Sequence, residues 1–416
     1  MTTRLYSATL RRMTPRIEQI AIGDELLDGR VVDENSAWLG RELALLGVEV
    51  QQRQVVADRT EDIVGAFRLA AARADLVVVS GGLGPTSDDL TAEASAAFIG
   101  EPLALHPDAL EHVRSRKVAA GRTPRPIDEK QALLPKSATV RENRAGIAPA
   151  FEVQSGGVVF IHLPGVPREY RAICEDHVLP LVRSRLERAP VSRTWKFFGV
   201  TETEVAERAA EVLTDGAVVH YRAHFPEIHL SVVSHDVAVI DRMEGHLRAS
   251  IWRHYFGDHT ATFAGAVVEA LAAAGQTVAT AESCTGGLIG QLLTSVPGSS
   301  AVYVGGAVSY SNALKSTLLG VPAELIEAHG AVSEPVARAM AEGARALGAT
   351  WGIGTTGIAG PGGGSAEKPV GTVHLAVAGP EGTHHRALRL PFDRDRNRLA
   401  FSFGALDMLR RRLPPR

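Results

Sequence analysis

Apolar and polar positions change period repeatedly along this chain. Ile17 to Ile22 reads as a short strand, and after a glycine-containing loop Trp38, Leu39, Leu43 and Leu46 share one face of a helix over 34–46. The alternation then repeats. Val48 to Val56 reads as a strand, Glu61 to Ala74 as a helix with Ile63, Phe67 and Ala70 inward, and Asp75 to Ser80 as a buried strand. Such alternation predicts a doubly wound α/β domain, which holds ligands at the carboxyl ends of its strands. Pro164-Gly165-Val166-Pro167 punctuates the chain before a helix running to Leu186, and Ala189-Pro190 marks a boundary. A small α+β unit follows, with strands at Trp195 to Val200 and His229 to Val233 and helices at Glu202 to Leu213 and Val239 to His254. Beyond it, Thr277 to Ala281 is short and β-favouring, and Leu288, Leu292 and Leu293 take up one-face helical spacing. The expected divisions are an extension over 1–16, then domains over 17–182, 190–257 and 259–416.

Composition agrees with several domains: 416 residues at 45% hydrophobic content suit two or three cores. A formal charge of −3 supplies no broad basic field, so bulk nucleic-acid binding is not expected, and the arginines at 394, 396 and 398 are a local cluster. Cys174 and Cys284 lie far apart, which argues against a disulfide framework and for a reducing cytoplasm. The first dozen residues lack the apolar core of a signal peptide, and Met13 closely precedes the first strand. They read as a disordered extension or as a start placed too early. With no run of ~18 apolar residues, no membrane span is expected.

The sharpest chemical signal is Ala281-Glu282-Ser283-Cys284-Thr285-Gly286-Gly287, read as a strand end, a tight turn and a helix start. A hydroxyl there can protrude from the sheet while N–H groups near Thr285 and Gly286 converge on an oxyanion. The plainer alternative is that Ser283 or Thr285 caps the helix. Serine needs a base, and the fifteen histidines are scattered, with His384-His385 expected on a solvated strand. Lys315 and Tyr310, on a strand running into a helix start, could both face Ser283. Bringing a lysine from ~10.4 to ~7.5 takes about 4 kcal/mol of destabilisation of the ammonium, which burial could supply. Cys284 ranks second as nucleophile and first as a small apolar filler. The glycine-rich run 352–364, with Thr356, Gly357 and Gly360, could bring backbone close to a phosphate or ribose, although such runs are often only flexible loops.

Two N-terminal loops sit at predicted strand ends. One carries Asp24 and Glu25, and the other runs Gly81-Gly82-Leu83-Gly84-Pro85-Thr86-Ser87-Asp88-Asp89-Leu90-Thr91. Its glycines allow close approach of a phosphate, Thr86 can donate to one, and Asp24, Asp88 and Asp89 offer hard oxygen ligands for a divalent metal, with Glu25 a possible base. The alternative is that Asp88, Asp89 and Thr91 simply begin the next helix.

From Ser283-Cys284-Thr285-Gly286-Gly287 through Val308-Ser309-Tyr310-Ser311-Asn312, Gly330-Ala331-Val332-Ser333-Glu334-Pro335 and Gly357-Ile358-Ala359-Gly360-Pro361 to Lys368-Pro369-Val370-Gly371-Thr372, the C-terminal third resembles the deamidase domain of the CinA (competence/damage-inducible) family. The resemblance implies hydrolysis of nicotinamide mononucleotide to nicotinate mononucleotide and ammonia without a cofactor. It implies Ser283 as nucleophile, Tyr310 assisting, Lys315 as general base and a phosphate-binding arginine, with Arg396 the first choice and Arg394 the rival. The N-terminal half, through Gly23-Asp24-Glu25-Leu26-Leu27, Asp33-x-Asn35, Gly81-Gly82-Leu83-Gly84-Pro85-Thr86 and Leu163-Pro164-Gly165-Val166-Pro167, resembles the family's molybdopterin-binding-like domain. That implies metal-dependent ADP-ribose pyrophosphatase activity, or else a non-catalytic nucleotide- or pterin-binding module regulating the amidase. The middle resembles a KH-type connecting domain, yet lacks the Gly-x-x-Gly clamp that grips RNA. It is expected to act as a spacer or dimerisation unit, and the protein to be a cytoplasmic homodimer.

Overall fold

The computed structural model describes residues 14–213 and 216–414. The expected N-terminal extension therefore lies outside the described residues except for 14–16, where Arg16 pairs with Asp75 at 2.7 Å. The chain forms two units. The first runs to Ser192 and adds a segment ending at Val218 and Val232–Asp241, and the second takes Arg193–Leu213, Val219–Ser231 and the chain from Arg242.

In the first unit the strands are β1 (Ile17–Ile22), β2 (Val50–Val56), β3 (Leu76–Ser80), β4 (Leu103–Leu105), β5 (Leu133–Pro135), β6 (Thr139–Arg141), β7 (Ala150–Ser155) and β8 (Val158–Leu163). Six form a sheet in the order β2-β1-β3-β8-β7-β6, and β4 pairs with β5. The β2-β1-β3-β8 portion is parallel, while β7 and β6 join antiparallel. Every residue of β1, β3 and β8 is buried, as parallel strands covered on both faces must be. One face packs Ile20, Phe67, Val77 and Phe160, and the other packs Ile17, Leu39, Leu76 and Tyr170. The first long helix spans Glu34–Leu45, capped by Asp33, whose side chain accepts from the Ser36 N–H at 2.9 Å. Strand β2 begins at Val50, not Val48, because Gly47 at φ 70° closes that helix: the Gly47 N–H reaches the Ala44 oxygen and the Val48 N–H the Leu43 oxygen.

The next four strands are β9 (Val191–Phe198), β10 (Ala217–His224), β11 (Glu227–Ser234) and β12 (Tyr255–Gly257), in the order β10-β11-β9-β12. The helix expected to reach His254 ends at Ser250 and gives way to a short 3₁₀ turn at Trp252–His254.

The C-terminal sheet contains β13 (Val278–Glu282), β14 (Tyr303–Val308), β15 (Trp351–Gly357), β16 (Thr372–Gly379) and β17 (Gly382–Arg389), in the order β14-β13-β15-β16-β17. The first three are parallel and the last two antiparallel. One face carries the core of Phe263, Ile289, Ile353, Leu375, Phe401 and Leu406. Against the other lies the helix Glu334–Arg345, where Ala337 and Ala341 meet Ala376 and Ala378. A Cβ at Gly354 would collide with the Ala337 carbonyl oxygen, and one at Gly352 with that of Ala341. These two glycines of the 352–364 run therefore serve helix-to-sheet approach inside the core, and only the later ones border a cleft. Among the described residues no helix is long and apolar enough to cross a membrane.

Candidate active site

Strand β13 ends at Glu282, and the nucleophile candidate follows at once. The Ser283 N–H donates to the Thr355 oxygen at 3.0 Å, and the Gly286 N–H to the Ser283 oxygen at 3.1 Å. Gly286 and Gly287 take φ of 63° and 91°, which only glycine adopts cheaply, and the helix Leu288–Thr294 starts after them. Its N–H donors do not converge beside Ser283 as expected. The buried Glu282 carboxylate takes them instead, accepting from Ile289 at 3.0 Å and Gly290 at 2.8 Å. Neither Ser283 nor Thr285 caps this helix: Thr285 is buried, with its hydroxyl 2.9 Å from that of Thr355.

Lys315 lies on the helix Asn312–Leu319, whose N-cap Ser311 accepts from the Leu314 N–H at 3.3 Å. Its side chain is 1% exposed. The amine donates to Ser283 Oγ at 3.2 Å, to the Ser309 oxygen at 2.9 Å and to the Tyr310 oxygen at 3.4 Å. All three are neutral acceptors, and burial holds the Lys315 pKa below the ordinary lysine value. Burial also pushes the Cys284 thiol up to about 12, leaving it protonated at neutral pH.

A cleft of about 260 Å³ opens over this pair, lined among others by Ser283, Tyr310, Lys315, Thr356 and Arg394. Tyr310 is 63% exposed, and its hydroxyl meets Arg394 at 3.3 Å rather than the serine. Arg394 also donates to the Gly360 oxygen at 2.7 Å. Gly357 and Gly360 border the cleft, as does Thr356, whose hydroxyl donates to the Ala331 oxygen at 2.8 Å. Thr285 and Gly286 do not. Arg396 also lies outside the lining, its guanidinium 4.4 Å from the Phe225 ring centre and 5.4 Å from that of Phe392. The reason is helical geometry. Asp393 caps the helix Arg394–Arg410, so Arg394 and Arg396 stand two positions apart, about 200° around the axis.

The first unit has a larger cleft, about 1120 Å³, at the carboxyl ends of β1 and β3. Asp24, Glu25, Asn35, Gly81, Gly82, Gly84, Asp88 and Asp89 all border it, and Thr86 does not. The Thr86 N–H and hydroxyl both donate to Asp89 Oδ2, at 2.9 and 2.6 Å, so the expected phosphate donor holds the loop. Asn35 ties the floor by donating to the Gly165 oxygen at 2.8 Å. The following helix starts at Thr91, leaving Asp88 and Asp89 in the turn before it. Sequence reasoning missed Asp58, which borders the cleft and accepts from the Asp24 N–H at 2.9 Å. Burial raises its pKa, helped by the nearby charges of Asp24, Glu25 and Asp89. Among the described residues no three His, Cys, Asp or Glu side chains gather so as to hold a metal ion. Asp24, Asp88 and Asp89 share a cleft without forming a ligand set.

Residues 260–413 match the family model of the CinA C-terminal domain, and residues 18–184 the one described as "probable molybdopterin binding domain". A CinA-like protein of Anaeromyxobacter dehalogenans is 49% identical over 403 residues, covering 95% of this chain and 99% of that protein. The chain belongs to the CinA family. A second CinA-like protein, from Myxococcus xanthus, is 42% identical over 415 residues, covering 96% of this chain and 98% of its own length. Among solved structures, a competence/damage inducible protein from Agrobacterium tumefaciens is 47% identical, covering 35% of this chain and 91% of that one, with a TM-score of 0.35. Membership in the CinA family joins a molybdopterin-binding-like domain to a CinA C-terminal domain in one mixed α/β chain.

Proposed function

We propose that the C-terminal unit hydrolyses the carboxamide of nicotinamide mononucleotide, releasing ammonia and nicotinate mononucleotide. The observation that carries this reading is the buried Lys315 amine, 3.2 Å from Ser283 Oγ with only neutral partners. As Oγ attacks the carboxamide carbon, neutral Lys315 takes its proton, and the oxyanion is met by the N–H of Cys284, a turn residue that borders the cleft. The lysine then protonates the departing amine, leaving an acyl-serine and ammonia. Water activated by the same lysine attacks the ester, and its proton returns through Lys315 to Ser283 as nicotinate mononucleotide leaves. Arg394, which borders the cleft from the first turn of its helix, is the proposed phosphate-binding cation. Ammonia release from nicotinamide mononucleotide is the test, comparing intact protein with Ser283→Ala and Lys315→Ala. An inactive wild-type protein, or turnover that survives in both variants, would refute the reading.

For the first unit the proposal is ADP-ribose pyrophosphatase activity. It is supported by a cleft large enough for a dinucleotide, lined by the acidic loops together with Lys117 and Arg122. Because the carboxylates do not form a ligand set, no step is assigned to a metal. The second reading, a binding module, is favoured by the engagement of Thr86 and Asp89 with each other. AMP release from ADP-ribose, with Mg²⁺ and with chelator, separates them: tight binding without AMP selects the module.

A further inference from the structure

The hairpin joining β10 to β11 turns at Phe225, and this ring reaches the beginning of the helix Arg394–Arg410, about 170 residues later in the chain. Phe225 and Phe392 meet edge to face, with centroids 4.9 Å apart and planes at 78°. The Arg396 guanidinium lies over both rings, at 4.4 and 5.4 Å. A first helical turn carrying Arg394 and Arg396 sets two cations at the positive end of the helix dipole, an arrangement that loosens the turn unless the charges find partners. The carboxylates of Asp393 and Asp395 provide one such tie, Asp393 also accepting from the Arg396 backbone N–H at 2.9 Å. The aromatic pair provides the other, since ring faces attract a guanidinium without removing its charge.

We propose that Phe225 is a positioning residue for the amidase cleft. Its contact with Arg396 and Phe392 locks the first turn of the helix, and this fixes the direction in which Arg394 reaches the Gly360 oxygen and the Tyr310 hydroxyl. The ligand affected is the phosphate of the substrate, the one part of a mononucleotide that a cation at Arg394 recognises. Chemistry at Ser283 and Lys315 is served by other elements, so the contact acts on binding and leaves the acyl-transfer step alone. The same contact gives the hairpin of the middle domain a direct hold on the amidase.

The kinetic part of this inference rests on the amidase reading, and the structural part does not. In Phe225→Ala, KM for nicotinamide mononucleotide is expected to rise about fivefold while kcat stays within about twofold. Phe225→Trp, which keeps a ring face over Arg396, restores the wild-type KM. Hydrogen exchange at the amides of residues 396 to 400 is expected to quicken in Phe225→Ala and to return to the wild-type rate in Phe225→Trp. A KM unchanged in Phe225→Ala, or a fall in kcat with KM unchanged, overturns the positioning role. Should the wild-type protein release no ammonia, the amidase reading fails and exchange decides alone. Unchanged exchange at 396 to 400 then overturns the inference, and faster exchange reversed by tryptophan sustains it.

Discussion

The amine of Lys315 stands 3.2 Å from the hydroxyl of Ser283, and among the described residues no carboxylate is hydrogen-bonded to that amine. This relationship separates the site from a buried ion pair. A carboxylate partner would hold the lysine charged, whereas three neutral oxygens and burial favour the free base.

On the amidase reading, activity should follow the titration of Lys315. Since burial lowers its pKa, kcat/KM should rise with pH through that lowered value and level off below the ordinary lysine range. Lys315→Arg cannot supply a neutral base and should lose about 10³-fold or more in kcat at every pH. A pH–rate profile decides, and an acid limb that persists in Lys315→Arg at appreciable turnover would count against the assignment.

The same lysine makes a stability prediction of fixed sign. The unfolded chain keeps the proton up to the ordinary lysine value, while the folded chain releases it earlier, so the unfolded state holds more protons between the two. Stability contributed at this position rises with pH across that window. Urea denaturation of wild type and Lys315→Met at pH 7 and pH 10 should show the difference shifting toward wild type at the higher pH.

Ser283 and Cys284 should behave oppositely. Ser283→Ala is expected to remove turnover, while Cys284→Ala should retain it within about threefold, because a thiol pushed up to about 12 supplies no thiolate at neutral pH. Alkylation of Cys284 in the folded protein at pH 7.5 should be slow for the same reason, and mass spectrometry of iodoacetamide-treated protein measures it.

Arg394→Gln and Arg396→Gln test which arginine meets the phosphate. Loss of a direct charged contact at Arg394 should raise KM for nicotinamide mononucleotide about tenfold or more, with a smaller rise in Arg396→Gln. The reverse order would restore Arg396 to the site.

Glu282 is a structural tie with a measurable weight. Removing its carboxylate leaves the Ile289 and Gly290 N–H groups without their acceptor, so Glu282→Ala should cost about 2–4 kcal/mol in urea denaturation. Glu282→Gln keeps one oxygen and should cost less.

Much of this was legible in the sequence because the periods were clean. Buried parallel strands such as Leu76–Ser80 announce themselves as apolar runs, and Ser283 stood out as a turn residue between a β-favouring stretch and a helical one. Strand β10 was missed because Ala217–His224 mixes His, Tyr and Arg on an exposed surface and shows little alternation. The glycines at 352 and 354 were read toward a ligand, since nothing local reveals that a helix of small residues will press against them. Glu282 escaped notice for the opposite reason. Its function as a cap depends on a helix that begins six residues later, after two glycines have turned the chain back. His385, expected on a solvated strand, does lie on β17 but is largely buried between His374 at 3.0 Å and Glu334 at 3.2 Å.

The Ser283 N–H hydrogen bond to the Thr355 oxygen spans 72 residues of chain, and the Lys315 contact spans 32. A nascent polypeptide that has just released Lys315 from the ribosome holds both Ser283 and Lys315 but not the strand that seats the serine turn. On the proposed amidase reading the pair therefore stays inert until β15 has emerged and joined the sheet, so chemical competence would arise late in synthesis, and a chain truncated before residue 355 would carry an unarmed serine.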